Sequence, residues 1–197
     1  MSALTWEDVR GGVGLRVAVP VTIGPDEAAR ELAPRLSALA GERASSSFDE
    51  KSAKPGVPVV TIDGYSGSGK STLAAALARL VNGWQVLHLD DWYPGWDGLA
   101  EGAHIARRIA ADLRGGRASS YEAWDWDKGT TGATIRVPLV PTIIEGCGAI
   151  EAEADLVIWI ADPGEDERRN RALARDGQTY APHWQRWADQ DLGRSVE

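Results

Sequence analysis

From residue 57 onward, short apolar runs rich in β-branched residues alternate with longer segments in which apolar residues recur at helical spacing. The runs predict buried parallel strands at 57–63, 85–89, 142–144 and 155–161. The helical spacing predicts helices at 70–82, at 99–113 and from 165 to the C-terminus, with a polar stretch before residue 142. This alternation predicts an α/β fold, in which helices cover both faces of a parallel sheet and ligands bind at the carboxyl ends of the strands.

The first 56 residues differ in pattern from the rest of the chain. Residues 15–23 are apolar enough for a strand, and residues 25–40 have the apolar spacing of a helix. Residues 44–58 are rich in Ser, Lys, Pro and Gly, which is typical of a linker. We therefore expect an N-terminal extension with its linker at 1–56, packed beside the main domain at 57–197 or used for docking.

Residues 64–71 read GYSGSGKS and match the phosphate-binding loop G-x-x-x-x-G-K-[ST], between a predicted strand and a predicted helix. In such a loop the backbone N–H groups face a phosphate, the lysine reaches the outer phosphates and the last hydroxyl can bind Mg²⁺. The expected nucleotide-binding residues are Gly67, Ser68, Gly69, Lys70, Ser71 and Thr72, with Lys70 also catalytic and Ser71 also a metal ligand. A Gly/Ser-rich turn without a ligand is the alternative.

Acidic residues follow the predicted strands at the edge where a ligand of this loop would lie. Asp90 and Asp91 follow QVLHL, Glu145 follows PTII, and Asp162 follows LVIWIA. Phosphoryl transfer needs a carboxylate that orients the acceptor hydroxyl and further negative charge around Mg²⁺. We expect Asp90 to act as the base and metal ligand, and Glu145 to support the metal. The alternatives are a capping role for Asp90 or Asp91, and a bond from Glu145 to the glycine turn after it.

Three arginines of the segment ERRNRALAR share one face of a predicted helix. Arg168, Arg171 and Arg175 have i, i+3, i+7 spacing. Such a face can close over the outer phosphates of a nucleotide, so we expect Arg168 and Arg171 to be catalytic and Arg175 to bind the nucleotide. Because acidic residues lie among them, a solvated helix face is the alternative.

Composition and charge narrow the partners. The chain of 197 residues has a formal net charge of −8, which argues against general binding to nucleic acid or to anionic membranes. One cysteine, Cys147, rules out an intramolecular disulfide bond, and the three histidines lack metal-ligand spacing. No signal peptide or apolar run of membrane-spanning length is visible, so we expect a soluble, cytoplasmic protein. The oligomeric state is not predicted.

Together, GYSGSGKST, LDDWY, IIEG and ERRNRALARD resemble the uridine kinase and nicotinamide riboside kinase group of P-loop nucleoside kinases, over about residues 57 to 190. The resemblance implies a three-layer P-loop NTPase sandwich with a central parallel sheet and a short lid helix that carries arginines. It also implies ATP and Mg²⁺ as cofactors. In that group a D-x-aromatic-aromatic stretch supplies the catalytic carboxylate, which selects Asp90 over Asp91.

The same resemblance implies an acceptor site. A carboxylate that holds ribose hydroxyls corresponds to Asp97, and Tyr93 belongs to the D-x-aromatic-aromatic stretch. An aromatic base pocket corresponds to Tyr121, Trp124 and Trp126. The stretch WDWDKGTTG lacks the histidine that uridine kinases carry there, so the identity of the nucleobase stays open. Core or hairpin packing is the alternative for the clustered tryptophans Trp92, Trp96, Trp124 and Trp126.

We therefore expect an ATP-dependent kinase that transfers the γ-phosphoryl group to a hydroxyl of a small molecule, with the 5′-hydroxyl of a nucleoside as the leading acceptor. Two alternatives stay open: a kinase of another hydroxyl compound, such as a sugar, a vitamin precursor or an antibiotic, and a non-catalytic ATP-binding regulatory module. The guanine-reading motif Asn-Lys-x-Asp is not found in the sequence, which favours ATP over GTP.

Overall fold

The computed structural model of the chain describes residues 4–8, 14–45 and 56–194. The strands in these residues are β1 Thr5–Asp8, β2 Leu15–Val19, β3 Val59–Asp63, β4 Gln85–His88, β5 Ser119–Asp125, β6 Thr130–Val137, β7 Thr142–Glu145 and β8 Leu156–Ile160. The α-helices are α1 Pro25–Ser45, α2 Lys70–Ala78, α3 Leu99–Arg114, α4 Glu165–Tyr180 and α5 Trp184–Leu192.

Six strands form a central sheet in the order β1-β2-β8-β3-β7-β4. Only the edge strand β1 runs antiparallel to its neighbour, and the other neighbouring pairs are parallel. All five residues of β3 are buried, as expected for a strand in the middle of a sheet covered on both faces. The predicted α/β fold with a mostly parallel central sheet is thus confirmed.

Alternate side chains of the central strands enter two separate apolar cores, one on each face of the sheet. On one face, Val60 and Ile62 pack with leucines of α1 and α2. On the other face, Val59 packs in a core that includes residues of α3 and α5. Helix layers therefore cover both faces, and the carboxyl ends of β3, β7 and β4 lie side by side at one edge.

The N-terminal segment is part of this sheet. β2 pairs in parallel with β8 over its full length, and α1 packs against α2. Arg43 at the end of α1 forms an ion pair with Asp155 at 2.6 Å. The expected boundary at residue 56 therefore falls between α1 and β3. The elements before it pack with those after it, because β2 pairs with β8 and α1 packs on α2. Most of the expected linker, residues 46–55, lies outside the described residues.

Two further elements differ from the sequence expectation. The polar stretch before residue 142 forms an antiparallel hairpin of β5 and β6, whose exposed positions left little apolar pattern to detect. The C-terminal helical region is divided, since a short 3-10 turn at Ala181–His183 separates α4 from α5. Within the described ranges, every helix is too short or too polar to cross a membrane.

Candidate active site

The phosphate-loop residues 64–71 connect β3 to α2 in a turn that depends on glycine. Gly67 and Gly69 have φ angles of 80° and 106°, in the left-handed region that other residues rarely adopt. A Cβ on Gly67 would also lie 2.2 Å from the backbone oxygen of Arg168. Because α2 begins at Lys70, its free N–H groups and positive dipole end lie at the loop, which suits a bound phosphate.

Lys70 is buried beneath this loop. Its Nζ donates to the backbone oxygens of Gly64 at 2.8 Å and Tyr65 at 3.1 Å, and to Sγ of Cys147 at 3.3 Å. Burial by itself lowers the pKa of Lys70, but the negative charges of nearby carboxylates, with Asp191 first among them, act in the opposite direction, and the pKa is raised. Lys70 therefore remains a cation at neutral pH, as phosphate binding requires.

A cleft of about 860 Å³ extends from the phosphate loop to the carboxyl ends of β4 and β7. Most of the residues expected at the site line it: Gly67, Gly69, Lys70, Ser71, Thr72, Asp90, Tyr93, Trp126, Glu145, Arg171 and Arg175. The expected residues that lie outside this lining are Ser68, Asp97, Tyr121, Trp124 and Arg168. The cleft thus connects the phosphate loop with the carboxylate of Asp90 and with several aromatic side chains.

Asp90 lies in a short 3-10 turn, Leu89–Asp91, directly after β4. The residue is exposed, and it borders the cleft. Desolvation by the surrounding protein and the charge of Glu145 raise the pKa of Asp90, although Lys70 and Arg175 act in the opposite direction. A carboxylate with a raised pKa accepts a proton more readily, which suits a general base.

Glu145 ends β7 and is 3% exposed. Its Oε1 lies 2.6 Å from Nδ1 of His88, the last residue of the neighbouring strand β4. The hydrogen bond to Glu145 raises the pKa of His88. Spacing along the chain gave no signal for this pair, because the two residues meet only through the pairing of β4 with β7.

The oxygen donors of Ser71, Asp90 and Glu145 all border the cleft and are of the type that Mg²⁺ prefers. In the described part of the chain, no cluster of three or more His, Cys, Asp or Glu side chains could hold a metal by itself. Mg²⁺ commonly uses one or two carboxylates together with substrate phosphates. The donor set therefore fits Mg²⁺ that binds together with a nucleotide.

The arginines Arg168, Arg171 and Arg175 of α4 do not all line the cleft. Arg168 is 2% exposed, and its Nε donates to Asp162 at 2.8 Å while its guanidinium lies 5.0 Å from the ring centre of Tyr65. Arg168 thus contacts the phosphate loop from outside the cleft lining, and its expected catalytic role stays a prediction. Arg171 and Arg175 do line the cleft, each half-exposed and paired with an acidic residue of α4.

An aromatic wall, formed by Tyr93, Trp96, Trp126, Tyr180 and Trp187, faces the cleft. Trp96 is at its centre, with ring centres 4.8 Å from Trp126 and 5.3 Å from Tyr180. Trp126 also donates from Nε1 to the backbone oxygen of Asp90 at 2.8 Å. The aromatic wall therefore contacts Asp90, the expected general base, directly.

Three members of this wall, Trp96, Tyr180 and Trp187, were not among the expected acceptor residues. Tyr180 and Trp187 are seven positions apart, a helical spacing that is also typical of core packing. Of the residues that were expected, Tyr121 lies outside the cleft lining, with its hydroxyl 3.5 Å from Asp91. The indole ring of Trp124 packs close to Gly95, since a Cβ at that position would lie 3.5 Å from the ring.

Asp97 is exposed and forms an ion pair with Arg186. The hydrogen bond from Arg186 lowers the pKa of Asp97, which stays ionised at neutral pH. Asp97 therefore pairs with Arg186 outside the cleft lining, and its expected contact with ribose hydroxyls stays a prediction.

Asp97→Asn is expected to change the acceptor KM by less than about three-fold, because an exposed ion pair contributes little and the residue lies outside the cleft. Steady-state kinetics with the acceptor varied at saturating nucleotide measures this effect, and Arg186→Gln is the matched control. An increase of about tenfold or more in the acceptor KM for Asp97→Asn alone would place Asp97 at the acceptor after all.

No protein-family model matches the chain, and no curated protein matches its sequence. Among solved structures, the chain is similar to a possible uridine kinase from Bacillus stearothermophilus, with 19% identity, a TM-score of 0.37 and coverage of 82% of this chain and 92% of that chain. It is also similar to a candidate fructose transport system kinase from Silicibacter sp. TM1040, with 21% identity, a TM-score of 0.42 and coverage of 78% and 86%.

Proposed function

We propose that the chain is an ATP-dependent phosphotransferase that moves the γ-phosphoryl group to a hydroxyl of a small molecule, with the 5′-hydroxyl of a nucleoside as the leading acceptor. One observation carries the proposal: a single cleft is lined by Lys70 and Ser71 of the phosphate loop, by Asp90 and by an aromatic wall. A nucleotide phosphate on the loop would thus face a carboxylate and a surface suited to a planar group.

At the nucleotide end, the chain binds phosphates mainly through its backbone. The N–H groups of residues 67–72 and the cation of Lys70 hold the phosphate oxygens, and Arg171 and Arg175 add positive charge from α4. Ser71, supported by Asp90 and Glu145, would hold Mg²⁺, which neutralises charge on the transferred group when bound. Catalysis then rests largely on position and charge.

At the acceptor end, Asp90 orients the hydroxyl and takes up its proton as the new bond to phosphorus forms. Its raised pKa and its place in the cleft support this role. Trp126, an exposed member of the aromatic wall, presents a ring to which a planar nucleobase can stack, and Trp96, itself stacked on Tyr180 and His183, packs against Trp126. Trp126 also donates a hydrogen bond to the backbone oxygen of Asp90. The same side chain would therefore contact both the acceptor and the residue that acts as the general base.

A second acceptor class is supported by the position of Asp97, which pairs with Arg186 outside the cleft lining. No role in binding a ribose diol is therefore assigned to Asp97 for this class. A planar aromatic alcohol without a sugar diol would use the aromatic wall and Asp90 equally well. This class differs from the nucleoside only in the group between the ring and the reacting hydroxyl.

An ADP-release assay tests the proposal. The protein is incubated with MgATP, or with MgGTP, and a panel of nucleosides, nicotinamide riboside, aromatic alcohols, sugars and aminoglycosides. We expect one acceptor class to stimulate ADP release well above the rate without acceptor, and mass spectrometry to find its phosphorylated product. Binding of MgATP without stimulation by any acceptor class would contradict the kinase and favour a non-catalytic nucleotide-binding module.

A further inference from the structure

A buried ion cluster contacts the phosphate loop from outside the cleft lining. Asp63 at the end of β3 and Asp191 in α5 have no exposed surface, and Arg194 follows α5. Arg194 donates to Asp63 at 2.8 Å and to Asp191 at 2.6 Å, so that one cation pairs with two carboxylates. The cluster links the C-terminal helix to the strand that carries the loop.

Both carboxylates also hold backbone groups around the loop. Asp63 accepts from the N–H of Gly64 at 2.6 Å and from that of Gly148 at 3.0 Å. Asp191 accepts from the N–H of Ser66 at 2.7 Å. The loop is thus fixed at two of its residues by carboxylates that need a counter-charge, because a buried unpaired carboxylate is costly.

Lys70 lies close to the same carboxylates. The Sγ of Cys147 is 3.3 Å from Lys70 Nζ and 3.4 Å from Asp191, and thus lies between the two. Burial raises the pKa of the Cys147 thiol to about 12, so Cys147 itself carries no charge at neutral pH. Asp191 and Asp63 both attract the ammonium group of Lys70. Any loss of their counter-charge would strengthen that attraction, and Lys70 would compete less well for phosphate.

We propose that Arg194 is a positioning residue of the nucleotide site, which pairs with Asp63 and Asp191 and thereby leaves Lys70 available to the nucleotide phosphates. The inference rests on the proposed function in so far as the loop must bind a nucleotide. It assigns the C-terminal end of α5 a role in phosphate binding, although Arg194 lies outside the cleft lining.

Four variants of the full chain test this role: Arg194→Gln, Arg194→Lys, Asp191→Asn and the double variant Asp191→Asn/Arg194→Gln. Gln keeps hydrogen-bond donors but removes the charge, and Lys keeps the charge. Asn at 191 can still accept the Ser66 N–H. Isothermal titration with MgATP gives the Kd of each variant, and thermal unfolding gives its Tm, so that affinity and stability are measured separately.

We expect Arg194→Gln to weaken MgATP binding by about tenfold or more, and Arg194→Lys to stay within about three-fold of wild type. Asp191→Asn supplies the reference value for the double variant. The double variant should recover part of the lost affinity, because the carboxylate that acts most strongly on Lys70 has been neutralised. A purely structural role would instead lower the Tm of Arg194→Gln and leave the Kd of the folded variant near the wild-type value.

Three results would overturn the inference. The first is an unchanged Kd in Arg194→Gln with only a lowered Tm, and the second is a double variant as weak as the single one. Should Arg194→Gln not fold, a double variant that folds but binds MgATP poorly is the third. These results leave the proposed function intact, whereas wild-type protein that does not bind MgATP would overturn both.

Discussion

Replacing Lys70 with Ala is expected to lower acceptor-stimulated ADP release by at least about a hundred-fold. Lys70 is the buried cation of the phosphate loop, its raised pKa keeps it charged, and it lines the cleft beside Ser71. Its loss removes the charge that stabilises the transferred group, so both kcat and nucleotide affinity should fall. Steady-state kinetics and MgATP titration measure the two effects.

Lys128→Ala is the matched control for this variant. Lys128 is an exposed lysine of the hairpin, paired with Asp125 at 2.6 Å, and it lies outside the cleft lining. Its replacement should leave both kcat and Kd near the wild-type values. If Lys70→Ala retained more than about a tenth of wild-type turnover while folded, phosphoryl transfer at this loop would be contradicted.

Asp90→Asn is expected to lower kcat by about a hundred- to ten-thousand-fold while MgATP still binds. Asn can hold the acceptor hydroxyl, but it cannot take up its proton. The backbone of Asp90 should stay in place, since Trp126 bonds its carbonyl oxygen rather than its side chain. Rapid-quench or steady-state kinetics measures the loss, and titration calorimetry measures the binding.

The neighbouring carboxylate offers the control. Asp91 lies outside the cleft lining and accepts from Tyr121, so Asp91→Asn should keep kcat within a few-fold of wild type. The pH profile gives a second readout. Because the base must be ionised, wild-type turnover should fall as the pH drops through the raised pKa of Asp90, and Asp90→Asn should lose that dependence. Near-normal turnover in Asp90→Asn would remove Asp90 from the mechanism.

Residues of the C-terminal helices α4 and α5 contact both the phosphate loop and the aromatic wall. Tyr180 of α4 stacks on Trp96 of the aromatic wall, and its hydroxyl lies 2.9 Å from Oγ of Ser66 in the phosphate loop. The cluster of Asp63, Asp191 and Arg194 adds a second link to the loop. A change in α4 or α5 is therefore expected to affect nucleotide and acceptor together.

Local patterns in the sequence were sufficient for the α/β fold from residue 57 onward and for the phosphate loop. Apolar periodicity reports which face of a strand or helix is buried, and the strand, glycine loop and helix that hold a phosphate are consecutive in the chain. The strand ends also follow from this order, which is why Asp90 and Glu145 were expected on one side of the sheet.

Only the tertiary structure decided which side chains meet across the chain. β2 joins the central sheet through β8, more than a hundred residues away, so its pattern alone could not distinguish an extension from a sheet strand. Helical spacing placed Arg168 with Arg171, but the packing of α4 against the loop turns Arg168 inward. The aromatic wall and the Arg194 cluster depend likewise on how α5 packs, because contacts between distant segments are set by the whole core rather than by local spacing.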